Sequence, residues 1–151
     1  DYSMNAKDKF AVLALLLGVA LACNDDSAGP AASDITGTWQ ATQVEYVSVA
    51  QPTVSIDLIA DEDYSATLVL ASSGSYTFTL TPPGGQPTVD TGTWELDGEV
   101  LTVAPAGTQF TLQFDIALSG DTLRLSGADA EYDFDDDTIP EDAKLNLVVT
   151  R

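Results

Sequence analysis

Residues 108–118 read TQFTLQFDIAL and show the clearest pattern in the chain. Their large apolar side chains occupy every second position: Phe110, Leu112, Phe114, Ile116 and Leu118. Successive side chains of a β-strand point to opposite sides, so a period of two is typical of a strand with one buried face. We therefore predict a strand over residues 108–118 that turns these five side chains towards the core.

The same alternation continues through the chain on both sides of this stretch. SYTFTL (75–80), DTLRL (121–125) and KLNLVV (144–149) repeat it, and segments rich in Gly, Pro, Asp and Ser separate the runs. Asp97-Gly98 is the sharpest hairpin signal, because tight primed turns need positive φ. We predict strands near residues 36–48, 54–60, 65–72, 75–81, 88–96, 99–104, 108–118, 121–127, 130–134 and 143–150.

Short connections between these strands favour an antiparallel up-and-down meander. Closing the meander would remove exposed strand edges, which invite aggregation. The expected fold class is therefore all-β, with a small closed β-barrel. A β-sandwich is the alternative, since the same alternation would serve two packed sheets.

The composition excludes several classes of function. The chain has 24 Asp and Glu against 5 Lys and Arg, with no His and one Cys, and its net charge is −19. Nucleic acid is not an expected partner, because phosphate binding needs a basic face. The usual general base and the nitrogen and sulfur ligands of zinc sites are missing. No nucleophile elbow or phosphate-binding glycine loop is present, so we do not expect an enzyme.

The N-terminal region differs from the rest of the chain. Lys7 and Lys9 precede an uninterrupted apolar run over residues 10–22, which ends at Cys23. Thirteen residues are too few for a bilayer span of about 20, but they suit an export signal with its basic flank. We predict a signal segment over residues 1–22, with Met4 as its start.

Residues 20–23, Ala-Leu-Ala-Cys, resemble the lipobox of bacterial lipoproteins. The resemblance implies cleavage before Cys23, lipid attachment at Cys23, and a protein anchored in the cell envelope, at the outer membrane or the cell surface. A free cysteine buried in a hydrophobic helix is the alternative. Residues 23–33 are small and polar, with Gly and Pro, which predicts a flexible linker ahead of a domain over residues 34–151.

Two Gly-Thr-Trp segments carry a second resemblance. Gly37-Thr38-Trp39 resembles the Gly-x-Trp opening of lipocalin-type barrels, in which the Trp plugs one end of the barrel. Gly92-Thr93-Trp94, followed by Asp97-Gly98, is similar to the middle of small bacterial lipocalin-like lipoproteins. The resemblance implies a plug role for Gly37, Trp39, Gly92 and Trp94. It also makes Arg151 the candidate to pack across Trp39.

An acidic stretch precedes the last predicted strand. Asp133, Asp135 and Asp137 alternate as the oxygen ligands of calcium loops do, and Glu141 could complete the shell. The stretch departs from the EF-hand pattern, since Thr138 stands where the turn wants Gly and Lys144 where the bidentate Glu belongs. A solvated acidic loop without a metal is the alternative to this calcium site.

These observations favour a binding or interaction module on a lipid anchor. The barrel is large enough to hold one small apolar ligand or to be filled by its own side chains. A different class of function is a structural subunit of an extracellular filament or surface layer. In that case residues 10–22 would stay as a hydrophobic helix and the protein would self-associate.

Overall fold

The computed structural model describes residues 29–151, and the predicted signal segment and Cys23 lie outside them. The described chain begins with one helical turn, α1 (Ala32–Ile35), and continues as nine strands. The strands are β1 (Gly37–Ser48), β2 (Ser55–Asp57), β3 (Ser65–Leu70), β4 (Ser75–Thr81), β5 (Thr88–Asp97), β6 (Val100–Pro105), β7 (Leu112–Ser119), β8 (Thr122–Tyr132) and β9 (Glu141–Thr150).

Eight of the strands form a closed antiparallel barrel, which confirms the predicted fold class. From β3 to β9 each strand pairs with the next, and β1 joins β3 on one side and β9 on the other. The short β2 pairs with β1 beyond the end of β3. The β1–β9 ladder runs from Gln40↔Thr150 to Ser48↔Ala143, so closure joins the two ends of the domain.

The meander gives the barrel two different ends. The closed end carries α1, the turns at residues 71–74, 98–99 and 120–121, and Arg151. The open end carries four longer connections, at residues 49–64, 82–87, 106–111 and 133–140.

Because side chains alternate along a strand, every barrel strand turns one face towards the barrel interior. Trp39, Leu68, Leu101, Phe114 and Leu125 are among the buried side chains of the core, and their sequence neighbours point outward. Burying such side chains contributes roughly 1.5–3 kcal/mol each. Residues 108–118 therefore supply core side chains as predicted, since Phe114 and Ile116 are both buried.

Two local predictions were wrong. Strand β7 begins at Leu112, and Phe110 lies in the preceding loop with 58% of its surface exposed. The strands predicted at 121–127 and 130–134 are one strand, β8, which absorbs the break as a register shift between Leu125 and Ala128. The hairpin predicted at Asp97-Gly98 is present, and Gly98 has the expected positive φ of 62°, but its two turn residues are Gly98 and Glu99 because Asp97 already pairs with Val100.

The last residues of the predicted linker lie against the barrel. A Cβ on Gly29 would come within 2.5 Å of the Gly98 carbonyl oxygen, and α1 starts at Ala32, two residues before the predicted domain boundary.

Within residues 29–151 no helix is long and apolar enough to cross a membrane.

Candidate functional site

The barrel contains an apolar cavity of about 200 Å³. Leucines of β3 and of β6 to β9 form much of its wall, together with the aromatic rings of Tyr46, Tyr76, Phe78 and Phe114. Among the described residues that line it, Asp90 alone carries a charge. The cavity is smaller than the 300–1,000 Å³ typical of sites for drug-sized ligands, so it suits a small or slender molecule.

Strand pairing explains how a carboxylate comes to line an apolar cavity. Tyr76 on β4 pairs directly with Gly92 on β5, and Asp90 lies two residues before Gly92 on the same face of the strand. A Cβ on Gly92 would approach Tyr76 Cε1 to 2.8 Å and the Ala104 carbonyl oxygen to 2.1 Å. Gly92 thus leaves the space that the Tyr76 ring occupies.

The Tyr76 side chain reaches from that space to Asp90. Its hydroxyl donates a hydrogen bond of 2.7 Å to Asp90 Oδ2. Burial, the bond to Asp90 and the charge of Asp90 all raise the pKa of Tyr76 well above its usual range. The hydroxyl therefore stays protonated and keeps donating, which fixes the orientation of the carboxylate.

The open end carries both acidic residues and exposed apolar side chains. Burial, together with the charges of Glu62 and Asp136, raises the pKa of the Tyr132 hydroxyl. The Tyr132 ring stacks on Tyr46, with ring centroids 4.9 Å apart. Large apolar side chains are exposed on the surrounding loops and strand ends: Val49, Val54, Val89, Phe110 and Ile139.

Within residues 29–151, no basic side chain lines the cavity at this end. Lys144 points outward from β9 and forms an ion pair with Asp129, in which both side chains are substantially exposed. Arg124 is exposed and alternates on β8 with the buried Leu123 and Leu125. Arg151 belongs to the closed end.

At the closed end, Trp39 is fully buried and is held by polar contacts on two sides. Its indole Nε1 donates to the Ile35 carbonyl oxygen at 2.9 Å. The Arg151 guanidinium lies 4.4 Å from the centre of the ring, and its two Nη atoms donate to the carbonyl oxygens of Thr36 and Asp34 at 3.1 Å each. Gly37 adopts φ +130°, a conformation that L side chains rarely adopt, where the chain enters β1.

The second Gly-Thr-Trp segment lies on β5. Trp94 is buried, and its Nε1 donates to the Ala71 carbonyl oxygen at 3.0 Å, which ties β5 to the turn between β3 and β4. Trp39 and Trp94 therefore both face the core and both bond to backbone near the closed end. Cys23, the predicted site of lipid attachment, lies outside the described residues.

The acidic residues singled out in the sequence converge in the loop between β8 and β9. Carboxylate oxygens of Asp133, Asp135, Asp137 and Glu141 all lie within 4.8 Å of one another. Partial desolvation and the charges of the neighbouring carboxylates, Asp137 first among them, raise the pKa of Asp135. Backbone N–H groups of Asp137 and Thr138 donate to Asp133, and Thr138 adopts φ +74°.

Sequence reasoning missed the pair formed by Tyr76 and Asp90. Both residues stood inside predicted strands, but their meeting depends on the register of the β4–β5 hairpin. Gly92 was the available signal, since a glycine inside a strand often marks a close approach by another group.

The family comparison agrees with the architecture. The model of the lipocalin-like domain family matches residues 35–125, more than half of the chain. Among solved structures, EF1p2_mFAP2b bound to DFHBI is similar at a TM-score of 0.49 and 16% identity, covering 83% of this chain and 99% of that one. No curated protein matches the chain.

Proposed function

We propose that this chain, which belongs to the lipocalin-like domain family, is a lipid-anchored cell-envelope protein whose barrel binds a small, mainly apolar ligand. The observation that carries the binding role is the cavity of about 200 Å³ with apolar walls and one carboxylate. An apolar pocket with few polar groups is typical of a small-molecule site, in which burial supplies affinity and the polar group supplies orientation.

The binding role is tested by filling the cavity. Leu145 lines it from β9, so Leu145→Trp should abolish saturable binding of 1-octanol, measured by isothermal titration calorimetry. Lys144→Trp is the matched control, because that neighbouring side chain points outward. Absence of octanol binding to the unaltered protein, or equal binding by Leu145→Trp, would refute the proposal.

The anchor is supported by the resemblance of residues 20–23 to a lipobox. The described chain starts at Gly29, beside the closed end. Five residues separate Cys23 from Gly29, and the six residue-to-residue steps between them reach at most about 20 Å when fully extended. A lipid on Cys23 would hold the closed end near the membrane and leave the open end to the surrounding solution.

The anchor is tested on native protein extracted from membranes. We expect an intact mass for residues 23–151 plus a diacylglyceryl group, and no lipid on Cys23→Ser. An unlipidated chain that retains the apolar segment would contradict it and would favour a filament or surface-layer subunit.

We further propose that Asp133, Asp135, Asp137 and Glu141 hold a calcium ion. The convergence of their oxygens within 4.8 Å supports this, since calcium takes several carboxylate oxygens at 2.3–2.6 Å. Calcium at millimolar concentration should raise the melting temperature of the unaltered protein and of Asp61→Asn, but not that of Asp137→Asn. An unchanged melting temperature with calcium and with chelator would refute the site.

A further inference from the structure

We infer that the cavity selects a small cationic amphiphile, an apolar body carrying one ammonium group, over a carboxylate of the same size. The inference rests on the proposed binding function and adds the chemical class of the ligand. It depends on the placement of Asp90, on the charges at the open end, and on the apolar walls.

Asp90 is placed to receive a ligand. It lines the cavity yet remains exposed at the open-end part of β5. The described residues donate one hydrogen bond to its carboxylate, from the Tyr76 hydroxyl to Oδ2. Oδ1 is therefore available to accept from a ligand, and the bond to Tyr76 holds the carboxylate in position.

The charges around the open end oppose an anion. Three residues in a row in the connection before β3, Asp61, Glu62 and Asp63, are acidic, and so are six of the ten residues at 133–142, which cover the β8–β9 loop and the start of β9. The three basic residues of the described chain, Arg124, Lys144 and Arg151, lie on the outer face or at the closed end. A carboxylate ligand would meet Asp90 without a countercharge, whereas an ammonium group would find one.

The walls of the cavity require the cation to bring an apolar body. A calcium ion takes six to eight oxygen ligands, and among the described residues lining the cavity one carboxylate and two tyrosine hydroxyls are the side-chain oxygens. Leucine and aromatic side chains cover most of the remaining wall. An alkyl or aromatic amine satisfies both parts, since its ammonium group meets Asp90 and its apolar part replaces water against the wall.

Three probes of equal length test the inference on the unaltered protein: octylamine, 1-octanol and octanoate. At neutral pH and low salt, isothermal titration calorimetry should show octylamine binding at least about tenfold more tightly than octanol, as a charge-assisted hydrogen bond predicts. Octanoate should bind more weakly than octanol. Because this comparison needs no variant, it does not depend on how a substitution affects folding.

Substitutions then assign the preference to Asp90. Asp90→Asn keeps the shape and an oxygen that accepts from Tyr76, and it should reduce octylamine affinity to that of octanol. Asp129→Asn is the matched control and should retain the preference for the amine, because its carboxylate pairs with Lys144 on the outer face.

The outcomes separate this inference from the proposed function. Saturable octanol binding with equal or tighter octanoate binding would overturn the amine preference and leave the binding cavity supported. An amine preference that survives Asp90→Asn would also overturn it, because Asp90 would not be the recognising group. If none of the probes binds, both proposals fail.

Discussion

The two ends of the barrel are built from the same sheet but differ in their packing. At the closed end a fully buried Trp39 is capped by the Arg151 guanidinium, and the polar groups there are hydrogen-bonded to backbone carbonyls. At the open end aromatic rings border a cavity, a carboxylate lines it, and large apolar side chains are exposed. The comparison indicates that the closed end contributes mainly to stability, so that the open end is free to leave space for a ligand.

Removing the Trp39 side chain should produce the largest effect. Trp39→Ala leaves a large cavity, removes the bond to Ile35 and deprives Arg151 of its ring, so we expect a loss of about 3–5 kcal/mol of unfolding free energy. Urea denaturation followed by circular dichroism measures it. Phe78→Ala, beside the existing cavity, should cost about half as much. Equal losses would contradict the assignment of stability to the closed end.

The next largest loss of stability is expected from adding a methyl group at Gly92. Its Cβ would lie 2.1 Å from the Ala104 carbonyl oxygen, which is backbone and cannot swing away. Gly92→Ala should therefore cost about 3 kcal/mol, at the upper end for overpacking, and should displace Tyr76 from Asp90. Thr91→Ala, whose side chain points outward, should cost at most about 1 kcal/mol. Unchanged stability of Gly92→Ala would contradict this prediction, because it would show that strands β4 to β6 can shift to accommodate the methyl group.

Loss of the Arg151 side chain should have a smaller effect. Arg151→Ala removes the cation over Trp39 and two hydrogen bonds, and about 1–2 kcal/mol should be lost. Lys144→Ala breaks an exposed ion pair and should cost less than about 1 kcal/mol, falling further at high salt. Chemical denaturation at low and high salt compares the two variants. A larger effect at Lys144 would reverse the comparison of the two ends.

The smallest effect concerns the pH dependence of the acidic loop. The folded protein raises the pKa of Asp135 above its unfolded value, so the ionised carboxylate destabilises the fold, and this penalty disappears as pH falls through the folded pKa. In chelator, Asp135→Asn should raise the melting temperature at neutral pH, with the gain vanishing in acid. With calcium bound, the same substitution should lower it. A loss of stability in chelator at neutral pH would contradict this account.

Most of the sheet could be predicted because its signals are local. Strand β4 was predicted with its observed bounds, and β1 and β5 were predicted to within a residue at each end. The start of β7 was predicted too early, because Phe110 continues the alternation of β7 towards the N-terminus although its side chain is exposed. The break in β8 was predicted as a loop because a bulge and a turn look alike when the partner strand is unknown.

The candidate sites were predicted unevenly for a related reason. The four acidic residues of the β8–β9 loop are neighbours in sequence, so their spacing alone singled them out. Tyr76 and Asp90 are separated by a hairpin, and neither residue type nor spacing indicates that one reaches the other.

The antiparallel succession of strands follows from the sequence, because the period of two and the turn residues both act between neighbours in the chain. Tertiary structure alone decided that β1 would pair with β9, residues about a hundred positions apart, and so close a barrel. It also decided that the barrel would fill at Trp39 and remain hollow beside Asp90. Closure depends on the combined register and stagger of all eight strands, a property that no single stretch of the sequence contains.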